Sequence, residues 1–169
     1  MIHSAERKGQ AAMEFLMTYG WAMMVILVMI GALAYFGVLN PTLLVPDRCI
    51  SSSDFSCIDY EVLAPAEKVP VVSVVLGNGV GRTIYFEQVT CEHNGQSVPG
   101  SAVDRGSGTI IAVGDAWSPR EEIIASCDMP SLAGFAGQKA RLTVLVAYRR
   151  SAEGFIHEGT ADVTSGVKG

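Results

Sequence analysis

Residues 15–39 read FLMTYGWAMMVILVMIGALAYFGVL, a run of 25 residues without a charged side chain. As an α-helix this run is about 37 Å long, enough to cross the roughly 30 Å hydrocarbon core of a bilayer. A helix that is apolar on every side is typical of a membrane-spanning segment or of the core of a helix bundle, because helices of soluble domains usually keep one polar face exposed to solvent. The sequence therefore predicts a long hydrophobic helix over about residues 10–39, ended by Asn40-Pro41.

The residues directly before the apolar run carry charges in an unusual order. Arg7 and Lys8 are followed by Gly9 and Gln10, and Glu14 stands at the start of the run. A carboxylate near lipid is costly unless a partner neutralises it. Cleavage after Gly9 would create an amino group at Gln10, one helical turn from Glu14. The amine and the carboxylate can then pair within one subunit or between neighbours.

This order resembles the class III signal peptide of archaeal type IV pilin-like proteins. In that family a short leader ends in Lys-Gly or Arg-Gly, a prepilin peptidase cuts it before a Gln, and a Glu follows four residues later. The matching residues are Arg7 and Lys8 for leader recognition, Gly9 and Gln10 for leader cleavage, and Glu14 for assembly. The resemblance covers roughly residues 7–40, and its one departure is Ala12, where the family often has Ser.

The resemblance implies a structural subunit of an extracellular type IV pilus-like filament, without enzymatic activity. The implied partners are identical or related pilin subunits, the prepilin peptidase and, before assembly, the bilayer, with the N-terminus in the cytoplasm. The helix stays on the mature chain because the peptidase cuts upstream of it, and the amine of an adjacent subunit pairs with Glu14. The implied divisions are a leader at 1–9, a helix and neck at 10–46, and a head at 47–169.

Three other functions remain open from the sequence, and one of them is a membrane-anchored enzyme. An uncleaved single-pass anchor would display an extracellular β-domain with a binding or adhesion role. A secreted protein would be cut at Ala32-Leu33-Ala34, although the apolar run continues past that point.

Four cysteines, Cys49, Cys57, Cys91 and Cys127, all follow the hydrophobic helix. None forms a C-x-x-C pair, which argues against zinc or redox motifs, and the basic N-terminus predicts an outward-facing head. An oxidising exterior favours disulfides. Of the three connectivities, we favour Cys49–Cys57 with Cys91–Cys127; four free buried thiols are the alternative.

The chain after the neck has the residue pattern of short strands separated by turns. In Lys139–Tyr148, for example, alternate residues are apolar. About seven strands predict a β-sandwich, and the family resemblance implies an immunoglobulin-like head, so the fold class is α+β. The predicted strands are Ile58–Leu63, Val71–Leu76, Thr83–Cys91, Thr109–Val113, Glu122–Cys127, Lys139–Tyr148 and Phe155–Val163. We expect a loop at Pro99–Gly108 and a loose tail after Thr164.

The sequence contains no pattern that indicates catalysis, a metal or a cofactor. No G-x-S-x-G lies between a strand and a helix, and no D-x-D-x-D-G calcium loop occurs. The glycines of Gly77–Gly81 precede no helix, so they predict a turn rather than a phosphate loop. A formal net charge of −5 also argues against a nucleic-acid surface on the head.

Overall fold

The computed structural model describes residues 3–35 and 45–169, and the chain divides into two compact units between Leu44 and Val45. The first unit contains helix α1, His3–Tyr35. Its start differs from the predicted one at Gln10, because residues 3–9 of the predicted leader are helical and continuous with the rest of α1. The predicted helix end at Asn40-Pro41 lies outside the described residues.

The second unit is an antiparallel β domain with one short 3₁₀ helix at Pro130–Leu132. The chain therefore combines an apolar N-terminal helix with a β-rich domain, as the α+β prediction stated. Its strands are β1 (Arg48–Ser51), β2 (Phe55–Leu63), β3 (Val71–Asn78), β4 (Ile84–His93), β5 (Gln96–Asp104), β6 (Ala116–Trp117), β7 (Glu122–Asp128), β8 (Lys139–Arg149) and β9 (Ile156–Gly166).

The nine strands form one sheet that curves nearly into a barrel. The strand order is β1-β9-β8-β4-β5-β7-β3-β2, and β6 pairs with the start of β4. Strand β5 connects the two halves of the sheet, because its residues 96–100 pair with β4 and its residues 101–104 pair with β7. The outermost strands β1 and β2 meet through the Cys49–Cys57 disulfide.

The core of the β domain is built by alternation along the strands. In β8 every second residue is buried, namely Ala140, Leu142, Val144, Val146 and Tyr148. One face of the curved sheet thus covers the interior and the other lies outside, since side chains of a strand point alternately in and out. Trp117 lies in this interior with 1% of its surface exposed, and it stacks on Phe55 at a ring-centroid distance of 5.2 Å.

Six of the seven predicted strands overlap observed ones, and the errors concentrate around β5. The predicted loop at Pro99–Gly108 is wrong, because residues up to Asp104 belong to β5. The predicted strand Thr109–Val113 is also wrong, since its ladder pairing is limited to a bridge between Ile110 and Val103. Pro and Gly usually interrupt strands, but here they occupy the place where β5 passes from β4 to β7.

The expected loose tail after Thr164 is a second error. Strand β9 runs to Gly166, and Val167 is buried with 3% of its surface exposed. Lys168 donates its backbone N–H to the Val62 carbonyl at 2.9 Å and accepts from Ala64 N at 2.7 Å. The last residues therefore form part of the barrel wall beside β2. An immunoglobulin-like sandwich is not confirmed by this nearly closed arrangement.

Candidate functional site

The apolar surface of α1 is the largest unusual feature of the described residues. The large apolar side chains described between Met13 and Tyr35 are all exposed, from 45% at Val25 and Leu33 to 86% at Tyr35. Helices of globular domains bury such side chains against a core, and large exposed apolar surfaces mark membrane or protein contacts. The segment Met17–Tyr35 is long and apolar enough to span a membrane.

Two shallow apolar grooves mark the surface of α1. One is lined by Trp21, Met24, Val25, Val28 and Met29. The other runs beside Gly20 and is lined by Phe15, Tyr19, Met23, Met24 and Leu27. Bulky side chains next to a glycine make a surface into which side chains of another helix can pack. A Cβ added at Gly20 meets no atom within 4 Å, so the helix itself leaves that space open.

Glu14 lies exposed directly before the uncharged run that begins at Phe15. Thr18 donates its hydroxyl to the Glu14 backbone carbonyl at 2.8 Å, which satisfies that polar side chain within the helix. Gly9 and Gln10, the predicted cleavage residues, lie earlier in the same helix, as do Arg7 and Lys8. The helix thus carries the residues predicted for leader recognition and leader cleavage, together with Glu14, on one continuous element.

The four cysteines form two disulfides with the connectivity that the sequence analysis favoured. Cys49–Cys57 joins β1 to β2, and Cys91–Cys127 joins β4 to β7, with Cα–Cα distances of 6.1 and 6.2 Å. Cys91 and Cys127 are 0% and 1% exposed, whereas Cys49 and Cys57 are only half-buried. The two bridges therefore differ in their access to solvent. Disulfides of this kind are typical of an oxidising environment.

An acidic group of residues at one end of the barrel has a structural explanation. Asp104 accepts hydrogen bonds from the backbone N–H and the hydroxyl of Ser107, which lower the pKa of its carboxyl. Asp115 accepts from Ala112 N at 2.8 Å, and Glu121 accepts from Ser118 N at 2.7 Å. Each carboxylate closes its own turn. Among the described residues, no group of three His, Cys, Asp or Glu side chains is placed to hold a metal ion.

The glycine-rich turn Gly77–Gly81 is held by a buried side chain. Asn78 is 6% exposed, and its amide donates to the carbonyls of Arg82 at 2.9 Å and Trp117 at 2.8 Å. Its Oδ1 accepts from Val80 N at 3.0 Å. These bonds satisfy the buried amide and tie the turn to β6. The turn thus has a structural role in this fold.

Four strongly exposed apolar side chains lie on segments that neighbour the start of β4, and we call them the apical residues: Ile110, Val113, Phe155 and Ile156. Their exposed fractions are 76%, 68%, 89% and 58%, the highest of the large apolar residues in the β domain. Ile156 begins β9, while Arg48, which begins β1, pairs with Thr164 near the other end of β9. The sequence did not predict this feature, since its pattern places all four residues in strands, where apolar side chains are expected to be buried.

No protein-family model and no curated protein sequence matches this chain. The function is therefore inferred from its own residues and geometry.

Proposed function

We propose that this protein is a structural subunit of an extracellular type IV pilus-like filament. In this proposal a prepilin peptidase cuts between Gly9 and Gln10, and the hydrophobic helices of many copies then bundle into the filament core. The observation that supports it most strongly is the uncovered apolar surface of α1. Before assembly, lipid covers that surface, and after assembly the helices of other subunits cover it, so the apolar side chains stay out of water throughout.

The β domain is proposed to form the outer layer of the filament. Its two disulfides suit an extracellular location. We also retain an immunoglobulin-like relationship of the head as part of the proposal. Its support is a disulfide that joins the two halves of the sheet, from Cys91 on β4 to Cys127 on β7, a position that resembles the inter-sheet bridge of immunoglobulin domains.

The N-terminal residue of the protein recovered from cells tests the processing step. We expect Gln10, because cleavage after Gly9 leaves the apolar run on the mature chain. Recovery of a chain that begins at Met1 or the next residue would support an uncleaved anchor. A chain that begins at Tyr35 would support a secreted head. Either of these two results contradicts the filament proposal.

Substitution of the assembly residue tests the pairing of Glu14 with a new N-terminal amine. We expect Glu14→Gln to reduce the yield of filaments strongly, since the neutral amide cannot neutralise that amine. Leader cleavage and folding of the head should be unchanged. The matched control is Glu67→Gln, at an exposed position of the head, which should assemble normally. Unchanged filament yield in Glu14→Gln, measured by electron microscopy and sedimentation, would contradict the pairing.

A second candidate function is an uncleaved anchor that displays a binding or adhesive head. The apical residues favour it, because a group of exposed apolar side chains is typical of an interaction site. For this function, Phe155→Ser should reduce attachment of cells to surfaces. For the filament function it should leave the amount of filament unchanged.

A further inference from the structure

Strand β1 is weakly integrated into the barrel. None of its four residues is buried, and its ladder to β9 covers only Arg48–Ser51. Its packing against the core is through Cys49. Since buried apolar area supplies most of the free energy that holds a strand, β1 contributes little of its own. The Cys49–Cys57 bond therefore carries much of the attachment of β1 to the rest of the domain.

The strands on either side of β1 are held without it. Strand β2 pairs with β3 along its length, from Phe55↔Asn78 to Leu63↔Val71. Strand β9 pairs with β8 through eleven residue pairs, from Lys139↔Gly166 to Arg149↔Ile156. The end of β2 is also bonded to Lys168, as described above. Loss of β1 thus leaves the ladders of the other strands intact.

The remaining contacts near β1 are hydrogen bonds and one ion pair at exposed or half-buried positions. Ser52 donates its backbone N–H to Thr160 O at 2.7 Å, and Ser51 donates its hydroxyl to Phe55 O at 2.9 Å. Before β1, Asp47 accepts from Lys139 Nζ at 2.8 Å, an exposed ion pair of the kind that contributes little to stability. These contacts are weak compared with a covalent cross-link of two strands.

We propose that Cys49–Cys57 is a thiol–disulfide exchange site for dithiols, and that its reduction releases β1 from β9 while the rest of the barrel stays folded. Cys49 and Cys57 are half-buried residues at the margin of the core, whereas Cys91 and Cys127 are enclosed in it. Thiolate attack requires access to a sulfur. The redox state of this bridge then sets the length of free chain ahead of the barrel, because β1 is its first strand.

Reduction of the Cys49–Cys57 bond by a dithiol takes place in two thiol–disulfide exchange steps. One thiolate of the dithiol attacks one sulfur of the bridge, which breaks the Cys49–Cys57 bond, forms a mixed disulfide and expels the other cysteine as a thiolate. The second thiol of the reagent, as its thiolate, then displaces the remaining cysteine. The dithiol ends as a cyclic disulfide, and Cys49 and Cys57 take up two electrons and two protons as thiols.

The test uses the full chain in detergent micelles, treated under native conditions with increasing dithiothreitol and then with iodoacetamide. Peptide mass spectrometry should find Cys49 and Cys57 alkylated at concentrations that leave Cys91 and Cys127 unlabelled. Hydrogen exchange on the same samples should show amides of β1 exchanging roughly tenfold faster or more, with β3 and β7 unchanged. Equal labelling of all four cysteines, or resistance of Cys49 and Cys57, would overturn the proposal.

A double variant distinguishes the release of β1 from a destabilisation of the whole β domain. The Cys49→Ser/Cys57→Ser variant should show the fast exchange of β1 without reductant, while oxidised wild-type protein keeps the slow exchange. If this variant does not fold, the selectively reduced wild-type protein still decides the outcome. Slow exchange of β1 after selective reduction, equal to that of the oxidised protein, would show that the bridge does not hold this strand.

Discussion

Gly159 shows how a single residue shapes the core of the β domain. A Cβ placed there lies closer than van der Waals contact to the Phe55 ring, at 2.7 Å from Cδ2. The ring cannot move away easily, because it stacks on Trp117 and meets Tyr148 edge-on at 5.5 Å. Glycine in a strand is normally unfavourable. Here it provides the space that this aromatic cluster needs.

We therefore expect Gly159→Ala to destabilise the β domain by about 1–3 kcal/mol, the usual cost of overpacking a core. Gly166→Ala is the matched control on the same strand, since a Cβ there meets no atom within 4 Å. Thermal unfolding followed by near-ultraviolet circular dichroism measures both. Equal melting temperatures for the two variants would contradict this explanation. Phe55→Leu in the Gly159→Ala background should recover part of the loss.

His93 predicts a pH dependence of stability. It is 4% exposed, its Nδ1 lies 3.0 Å from Ser131 Oγ, and burial lowers its pKa below the ordinary value. The unfolded chain thus binds a proton more readily than the folded one. The folded state is favoured while His93 is neutral in both states, that is, above the pKa of about 6.5 that histidine has in the unfolded chain. This stability is lost as the pH falls below that pKa, because the unfolded chain then takes up the proton first.

We expect the free energy of unfolding to fall less between about pH 7.5 and pH 5 in His93→Gln than in the wild-type protein. Urea titrations at the two pH values measure the difference, and subtraction removes the titration of carboxylates common to both proteins. Thr90→Gln, a change at a half-buried position of β4 that carries no titratable group, is the control and should retain the wild-type pH dependence. An unchanged pH dependence in His93→Gln would contradict the assignment.

At the scale of secondary-structure elements, α1 is the part of the chain that the sequence predicts best. A hydrophobic helix can be predicted from an uncharged run of this length, because nearly all of its residues prefer an apolar environment. The start at His3 was not predicted, since the leader was treated as a separate segment. Local helix propensity does not stop at a cleavage site, so residues 3–9 continue the same helix.

The apolar character of α1 gives a prediction for membrane retention. Ile26→Asp places a carboxylate at the middle of Met17–Tyr35, which costs about 2.5–3.5 kcal/mol in a lipid-spanning helix. We expect a larger fraction of this variant to be extracted from membranes at alkaline pH. Ile110→Asp, the same change at an exposed position of the β domain, should be retained like the wild-type protein. Equal extraction of the two variants would contradict a membrane role for α1.

Strand β5 shows why the local sequence pattern wrongly predicted a loop at Pro99–Gly108. A Cβ at Gly100 meets Cys127 Sγ at 2.5 Å, Ser126 O at 2.7 Å and Val89 Cγ1 at 2.8 Å. Only glycine allows β5 to pass this closely between β4 and β7. In the sequence the same glycine, next to Pro99, indicates a loop. Whether Gly100 lies in a loop or in a strand therefore depends on packing partners that are distant in the chain.

At the scale of the whole molecule, two contacts join the outer strands where the sheet nearly closes on itself. The Cys49–Cys57 bridge joins the outermost strands near the start of the domain, and Lys168 pairs with the end of β2. Lys168 also forms an ion pair with Glu61 at 2.8 Å, and that contact raises the pKa of the lysine. A strand pattern predicts a β domain. It does not specify whether the sheet stays open, divides into two or closes.

The sequence by itself determined the division into an apolar helix and a β-rich domain and six of the strands of that domain. These features follow from composition and periodicity, which act between near neighbours in the chain. Only the tertiary structure decided the course of β5, the ordered tail, the nearly closed barrel and the position of the apical residues. Those features depend on contacts between residues far apart in sequence, and no local pattern encodes which segments will meet.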